Sequence, residues 1–219
     1  MNACNRCGRE LKTQKSIDDG YGPVCKKKQA AEDAEFEKIQ ITLDEVVESG
    51  VAVYSRSHAN RGAGLERLID MTNQQYRNKG VADIRKIPTP VQIQSNVRGK
   101  VTGYTQKPEW VDYSGVHDGR AIVFDAKETS SKTSFPLENI SEHQYELLKS
   151  WHQKGAWSFL LVSFTKLDEI YLLPFKTLEA HWEDAGKGGR KSIPYTEMIL
   201  HCDLVKSENG YVLHYLKSC

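Results

Sequence analysis

The sequence predicts an α/β fold, a mixed β-sheet flanked by helices, and three observations carry that expectation. Helical and strand periodicities alternate along the chain, as they do where helices cover a sheet. Residues 156–164 (AWSFLLVSF) are almost continuously apolar, the pattern of a strand covered on both faces. Residues 111–129 (VDYSGVHDGRAIVFDAKET) place two strand-forming runs around Asp118-Gly119, a dipeptide that tolerates the positive φ angles of a two-residue type I′ turn. With 219 residues, 39% of them hydrophobic and 27% charged, the chain can bury one sizeable core and carry a small appendage.

The appendage comes first. Cys4-Asn5-Arg6-Cys7 is a C-x-x-C knuckle, and Cys25 follows a second turn-rich segment, Gly20-Tyr21-Gly22-Pro23. Thiolates presented from two turns are the usual construction of a structural Zn²⁺ site, where the metal replaces a core that so short a segment cannot form. Cys4, Cys7 and Cys25 are therefore candidate Zn²⁺ ligands of a module over residues 1–28, with a redox pair or plain thiols as alternatives. The fourth ligand is open: water, His58, Cys202, Cys219 or a second chain would each serve. Five cysteines and a polar N-terminus without an apolar signal core point to a cytoplasmic protein rather than a disulfide framework. No apolar run approaches the roughly 20 residues that span a bilayer.

Residues 29–58 read as a charged helical linker, with seven acids against Lys38 alone between Glu32 and Glu48. Asn60 then offers an N-cap, and Leu65, Leu68, Ile69, Thr72 and Tyr76 recur at helical spacing up to Lys79-Gly80, a stop signal. Glu66 lies beside this stripe, where either a surface charge or an inward metal ligand fits.

Residues 82–86, 91–96 and 100–104 have strand character, interrupted by Pro88, Pro90 and Arg98-Gly99. Proline cannot donate to a ladder, so the stretch from about 87 to 107 is expected to project as an arm. Net charge is only +1, but between Arg85 and Pro108 lie Arg85, Lys86, Arg98, Lys100 and Lys107 with no acid. A basic zone of that kind suits a polyanion.

With Asp118 and Gly119 at the turn of the next hairpin, Asp112 falls directly opposite Asp125. Cross-strand partners share a face with Cβ atoms roughly 4.5–5.5 Å apart, and alternation returns Lys127 to the same face. Two carboxylates so close repel unless a proton or cation joins them, and hard oxygen ligands suit Mg²⁺. The chemistry implied is metal-dependent phosphoryl transfer. The plain alternative is that Ile122 and Phe124 form the buried side and leave Asp125 and Lys127 solvated, although Ala121 and Val123 make that face mixed.

After the hairpin, residues 127–136 form a hydroxyl-rich basic loop that includes Lys132. Ser141 starts a helix to Lys154, with Leu147, Leu148 and Trp151 on its apolar side and Gln144 at the capping-box spacing. The strand of residues 156–164 pairs with 169–173 through Lys166-Leu167-Asp168, and 175–185 read as the final helix. Gly186 to Ile193 (GKGGRKSI) is a glycine-rich basic loop that lacks the order of a nucleotide-binding loop. Arg190 and Lys191 are candidates for DNA-backbone contacts there. Asn209-Gly210 predicts a closing hairpin within residues 205–216.

Several strings together resemble the RecU family of Holliday junction resolvases: Asn60-Arg61-Gly62, Pro88 to Ile93 (PTPVQI), Asp112 to Gly115 (DYSG), Ala126 to Thr129 (AKET), Lys132 to Leu137 (KTSFPL), His143-Gln144 and Gly189 to Ile193 (GRKSI). Asp112 with Asp125-Ala126-Lys127 and helical Glu66 is similar to the PD-(D/E)xK nuclease arrangement. The resemblance runs from about 60 to 193 and leaves out the cysteine-bearing head, which is itself similar to small zinc-ribbon-like modules of phage and bacterial proteins. It implies a restriction-endonuclease-like nuclease core over residues 59–219 with a protruding stalk, and a homodimer that uses Mg²⁺ or Mn²⁺ to nick opposing strands of a four-way DNA junction. By position, Asp112 and Asp125 would bind the metal, Lys127 would orient or activate water, and Gln144 and Glu66 would complete the site. Arg61, Arg85, Lys86, Arg98, Lys100, Lys107, Lys132, Arg190 and Lys191 would meet DNA. Partners from the recombination machinery are a further expectation. Asp125 stands where these resolvases usually carry Glu, and the head is an addition to the family pattern. Two other classes compete: a non-catalytic junction-binding protein, and a restriction-type endonuclease that cuts linear duplex as readily as junctions.

Overall fold

The structure is a computed structural model, and it describes residues 3–4, 6, 9–31, 34, 64–105 and 110–218. Two compact units divide the chain, one of Met1–Tyr54 with Ser131–Thr133, the other of Ser55–Ser130 with Ser134–Cys219.

In the first unit, the segment around Cys4 folds back on itself. An isolated bridge joins Ala3 to Glu10, and the Cys4 amide donates to the Arg9 carbonyl at 2.8 Å. Helix α1 (Gln14–Asp19) is capped by Thr13, whose side chain accepts the Ser16 amide, and it ends at Gly20 with φ +71°. A helical run over residues 23–31 carries Cys25 and continues past the module boundary expected at residue 28. Cys4 is buried and Cys25 half-buried. Cys7, most of the linker, Asn60 and Arg61 lie outside the described residues, as does Lys107.

The second unit is built on a sheet whose strands, among the described residues, run in the order β1 (Ala82–Lys86), β4 (Tyr113–His117), β5 (Arg120–Thr129), β7 (Trp157–Phe164), β8 (Glu169–Pro174) and β10 (Asp203–Leu204). The β5–β7 pair is parallel and the others antiparallel, so the sheet is mixed as expected. Helix α2 (Leu65–Asn78) buries Leu65, Leu68, Ile69 and Tyr76 in one cluster with Ile84, Tyr113, Phe124, Phe159 and Leu161. Tyr113, Phe124 and Phe159 stack face to face across three strands, with ring centroids 4.9 and 4.7 Å apart. Helices α3 (Glu142–Gln153) and α4 (Phe175–Gly186) cover the opposite face, where Tyr145 meets Phe175 and Leu148 and Leu178 are fully buried. β5 is therefore buried on both faces, because one side chain in two points into each helix layer.

Strands β2 (Val91–Val97) and β3 (Lys100–Thr105) form a separate two-stranded ribbon in which every residue is exposed, closed at Arg98 (φ +50°) and Gly99 (φ +79°). The ribbon lies within the stretch expected to project as an arm. A second small ribbon, β6 (Ser134–Pro136) with β9 (Ser192–Pro194), joins the segment before α3 to the end of the glycine-rich loop.

Three boundaries differ from expectation. α2 begins at Leu65, with Gly64 as a cap that supplies no side-chain bond; the Glu128 carboxylate accepts the Leu65 amide instead, at 2.9 Å. α4 is not the final helix, because α5 (Tyr195–His201) follows, anchored by buried Tyr195 and Met198. Asn209 (φ +54°) and Gly210 (φ +76°) do make the turn near the C-terminus, but only a single bridge, Glu208 to Tyr211, flanks it, and residues 215–218 turn into a 3₁₀ helix. Tyr211, Leu213, Tyr215 and Leu216 are buried there, so docking onto α2 replaces strand pairing.

Candidate active site

The hairpin forms in the register its turn dictates. Asp118 has φ +47° and Gly119 φ +73°, and Tyr113 pairs with Phe124. One step further out, the Asp112 amide donates to Asp125 Oδ1 at 3.3 Å, and the Ala126 amide donates to Asp112 Oδ2 at 3.1 Å. Gly115 is required by the neighbouring pair: a Cβ there would lie 2.2 Å from the Asp83 carbonyl oxygen of β1. The Asp112-Tyr113-Ser114-Gly115 string thus joins a carboxylate, a core ring and a close backbone approach.

Asp125 is completely buried, so the solvated-face alternative fails at this residue. Lys127 Nζ is 2.9 Å from Asp125 Oδ2, and Gln144 Nε2 donates to the same oxygen at 2.5 Å. Gln144 Oε1 in turn accepts from Lys127 Nζ at 3.2 Å and from the Ser141 amide at 3.1 Å. The capping box expected of Ser141 and Gln144 is present, and the same glutamine reaches the carboxylate of β5. One side chain closes the start of α3 and fixes that helix end against Asp125.

Asp112 is half-buried. Burial first, then a hydrogen bond to Asp125 and repulsion from it, push its carboxyl up to about 7, against the pull of the Ala126 amide and Lys127. A single ammonium serves two adjacent carboxyls, which leaves one negative charge that a proton or a cation must balance. Two carboxylates and one ammonium are also the charge and ligand types from which a divalent-cation site can be built. Among the described residues no three His, Cys, Asp or Glu side chains form a ready-made cage. Two carboxylates suffice for Mg²⁺, which keeps several waters and shares its remaining positions with substrate phosphate.

Glu66 makes no group of three with Asp112 and Asp125 among the described residues. It is exposed and bound to Lys86 Nζ at 2.7 Å, on the lip where Tyr113 Oη donates to Asp70 Oδ1 at 3.1 Å. Arg85 is likewise paired, with Asp83 at 2.6 Å. Arg98 and Lys100 lie at the exposed turn of the arm, Arg190 and Lys191 on the exposed glycine-rich loop, and Lys132 in the segment that clusters with the first unit. Two contributors carry little signal in the sequence. Glu128 caps α2 from the strand that carries Asp125, and Asp70 holds the hydroxyl of Tyr113 next to Asp112. Asp70 shows in the sequence as a second acid one turn after Glu66, whereas the N-cap expected at Asn60 gives no sign of Glu128.

Comparison with known proteins follows the same division of the chain. Residues 60–219 match the family described as Recombination protein U, RecU, and residues 2–29 match a family of unknown function, DUF6011. The chain is 38% identical over 164 residues to the Holliday junction resolvase RecU of Staphylococcus saprophyticus, covering 72% of this chain and 75% of that protein. It is 42% identical over 166 residues to the protein of the same name from Staphylococcus epidermidis, again over 72% and 75%. The Limosilactobacillus fermentum protein of that name is 39% identical over 172 residues, 76% of this chain and 82% of its own. Among solved structures, the Holliday junction resolvase Hjc of Archaeoglobus fulgidus aligns with 62% of this chain and 92% of its own, at a TM-score of 0.38 and 11% identity.

Proposed function

The chain belongs to the RecU family, and on that premise we propose that it is a divalent-metal-dependent endonuclease that resolves four-way DNA junctions by paired, symmetric nicks. The observation that carries the chemistry is the juxtaposition of Asp112 with buried Asp125, the latter held by Lys127 and Gln144.

Asp112 and Asp125 would hold one Mg²⁺ or Mn²⁺ ion. Bound there, the ion would neutralise charge on the scissile phosphate and acidify the attacking water. Lys127, only 19% exposed, places a fixed positive charge beside the oxygens that gain negative charge. Gln144 keeps Asp125 and Lys127 in register, because its amide bonds to both. Glu66 acts from the lip, as the partner that keeps Lys86 beside the site. No covalent nucleophile is needed.

Binding is proposed to be divided between regions. Arg98 and Lys100 on the exposed arm, which would insert at the junction centre, and Arg190 and Lys191 on the loop, supply phosphate contacts, together with Arg61, Arg85, Lys86, Lys107 and Lys132. A twofold-symmetric substrate calls for an isologous homodimer, in which two identical sites meet equivalent strands. No described helix is long and apolar enough to cross a membrane, and action on DNA in the cytoplasm, alongside other recombination proteins, is the setting we assign.

The test is nicking of synthetic four-way junctions with Mg²⁺ or Mn²⁺, beside matched linear duplex. Asp112→Asn should lower nicking by roughly three orders of magnitude, since metal charge stabilisation is worth several kcal/mol at about 1.4 kcal/mol per decade, and should leave DNA binding intact. Absence of nicking by the parent protein over a range of pH sinks the reading, and equal cutting of linear duplex replaces it with a restriction-type endonuclease. For the head, the turn closed by the Cys4 amide and buried Cys4 support a structural Zn²⁺ at Cys4, Cys7 and Cys25. Metal analysis of protein purified without chelator should find zinc, and Cys4→Ser should lose it.

A further inference from the structure

A cavity of about 340 Å³ is lined by Leu137, Glu138, Ile140, Trp182, Ala185, Gly186 and Lys191, of which only Lys191 has a role in the reading above. Its wall is joined to the catalytic helix twice. Ile140 directly precedes Ser141, the N-cap bonded to Gln144, and the Trp182 ring stacks on that of Tyr145, the next residue, with centroids 4.5 Å apart and planes 7° from parallel. Trp182 is thus a rigid aromatic wall fixed relative to Asp125.

The edge of the cavity is polar and charged. Glu138 and Lys191 are exposed, and the Lys191 carbonyl accepts the Leu137 amide at 3.1 Å, which ties the loop to the cavity floor. The loop itself carries Lys187, Arg190 and Lys191 within five residues. It turns back tightly at Gly188 (φ +94°) and Gly189, where a Cβ would lie 2.0 Å from Asp184 Oδ2. Apolar walls, a pinned indole, the Glu138 carboxylate at the edge and the cations Arg190 and Lys191, with Lys187 already paired to Glu183 at 3.7 Å, match a nucleotide: a ring to stack, amino groups for a carboxylate to accept from, and a phosphate for the cations.

We infer that this cavity is a base slot, in which an unpaired nucleobase of the strand being cut stacks against Trp182 while its phosphate lies along Lys187–Lys191. The inference rests on the endonuclease reading for the meaning of the cut strand. It assigns sequence preference at the nick to one flanking base, read by the slot. Glu138 at the edge favours bases with an amino group, cytosine and adenine first.

The experiment is a binding cycle with the full chain. Four-way junctions carry a single abasic position at each site flanking the nick, and affinities are compared for the parent, Trp182→Ala and Ala185→Trp. Removal of the slot base should weaken the parent about five- to hundredfold at one flanking position, as base–aromatic stacking does. Trp182→Ala should bind the intact junction that much more weakly and lose sensitivity to the abasic position. Ala185→Trp fills the slot without removing the Tyr145 stack, so it should be equally insensitive even if Trp182→Ala does not fold. Equal losses for parent and variants at every position overturn the inference, and so does a parent indifferent to all of them. Because affinity is read without cleavage, a protein that binds in this way but nicks nothing would sink the endonuclease reading and keep the slot.

Discussion

Asp125 and Glu169 are both buried carboxylates of the same sheet, and their surroundings are opposite in kind. Asp125 on β5 meets an ammonium, a carboxamide and a second aspartate. Glu169 on β8 meets two hydroxyls, Tyr171 Oη at 2.9 Å and Tyr195 Oη at 2.5 Å, both donating to one oxygen. Burial dominates there and raises the Glu169 carboxyl above the ordinary range, although the two hydroxyls pull it down. A buried acid is therefore no sign of chemistry by itself. Glu169 closes a polar knot between β8 and α5 in which both hydrogen-bonding partners are neutral hydroxyls, whereas Asp125 shares one ammonium with a second carboxyl.

The largest difference is expected when each acid is replaced by its amide. Asp125→Asn should abolish nicking to the same extent as the Asp112 variant and show none of the rise in melting temperature that the proposed site predicts for the parent protein with Mg²⁺ or Mn²⁺. Glu169→Gln should leave both unchanged, since its amide oxygen can still accept from the tyrosines. If the two variants lose cleavage alike, Asp125 is a structural acid. Next in size is Gln144→Ala, which removes a bond to Asp125 and half of a capping box at once. Loss of a group that orients a metal ligand costs about 10- to 100-fold in activity, and loss of the cap about 1 kcal/mol of stability. Gln144→Glu restores a side chain able to take the Ser141 amide but sets a carboxylate against Asp125. It should recover part of the stability and little of the nicking, as read by denaturant titration beside the junction assay.

What could be read from the sequence follows from range. The Asp118-Gly119 turn and side-chain alternation are local, and together they suffice to set Asp112 against Asp125. The arm is legible for the same reason, since Pro88 and Pro90 exclude a central strand. The burial of Asp125 is not local: it depends on β7 running parallel beside β5 and on α3 covering that face. Gln144 shows its capping spacing in the sequence, but its second bond exists only where the helix end meets β5. The seven-residue α5 and the C-terminal segment escaped because packing onto the core overrides their weak local preferences.

A smaller effect is expected at the lip. The Glu66–Lys86 pair is exposed on both sides, and such pairs contribute about 0–1 kcal/mol. Glu66→Gln should leave melting nearly unchanged. If Glu66 only positions Lys86, nicking should fall a few-fold and Lys86→Gln should reproduce the loss. A loss as deep as that of Asp112→Asn would instead place Glu66 among the metal ligands.

The smallest effect is a slope rather than a rate. A carboxyl raised by folding binds its proton more tightly in the native than in the unfolded chain, so its contribution is fully present below the unfolded value, about 4.3 for glutamate, and fades as pH rises through the native one. For Glu169 the sign is therefore loss of stability with rising pH above that value, because its charged form must exist among tyrosine rings with no cation bonded to it among the described residues. Glutamine carries no titrating proton. Denaturant midpoints followed upward from pH 4 should fall less steeply for Glu169→Gln than for the parent, with cleavage unaffected. Identical slopes would mean that the two hydroxyls solvate the carboxylate fully, and Glu169 would then differ from Asp125 only in lacking a neighbouring acid.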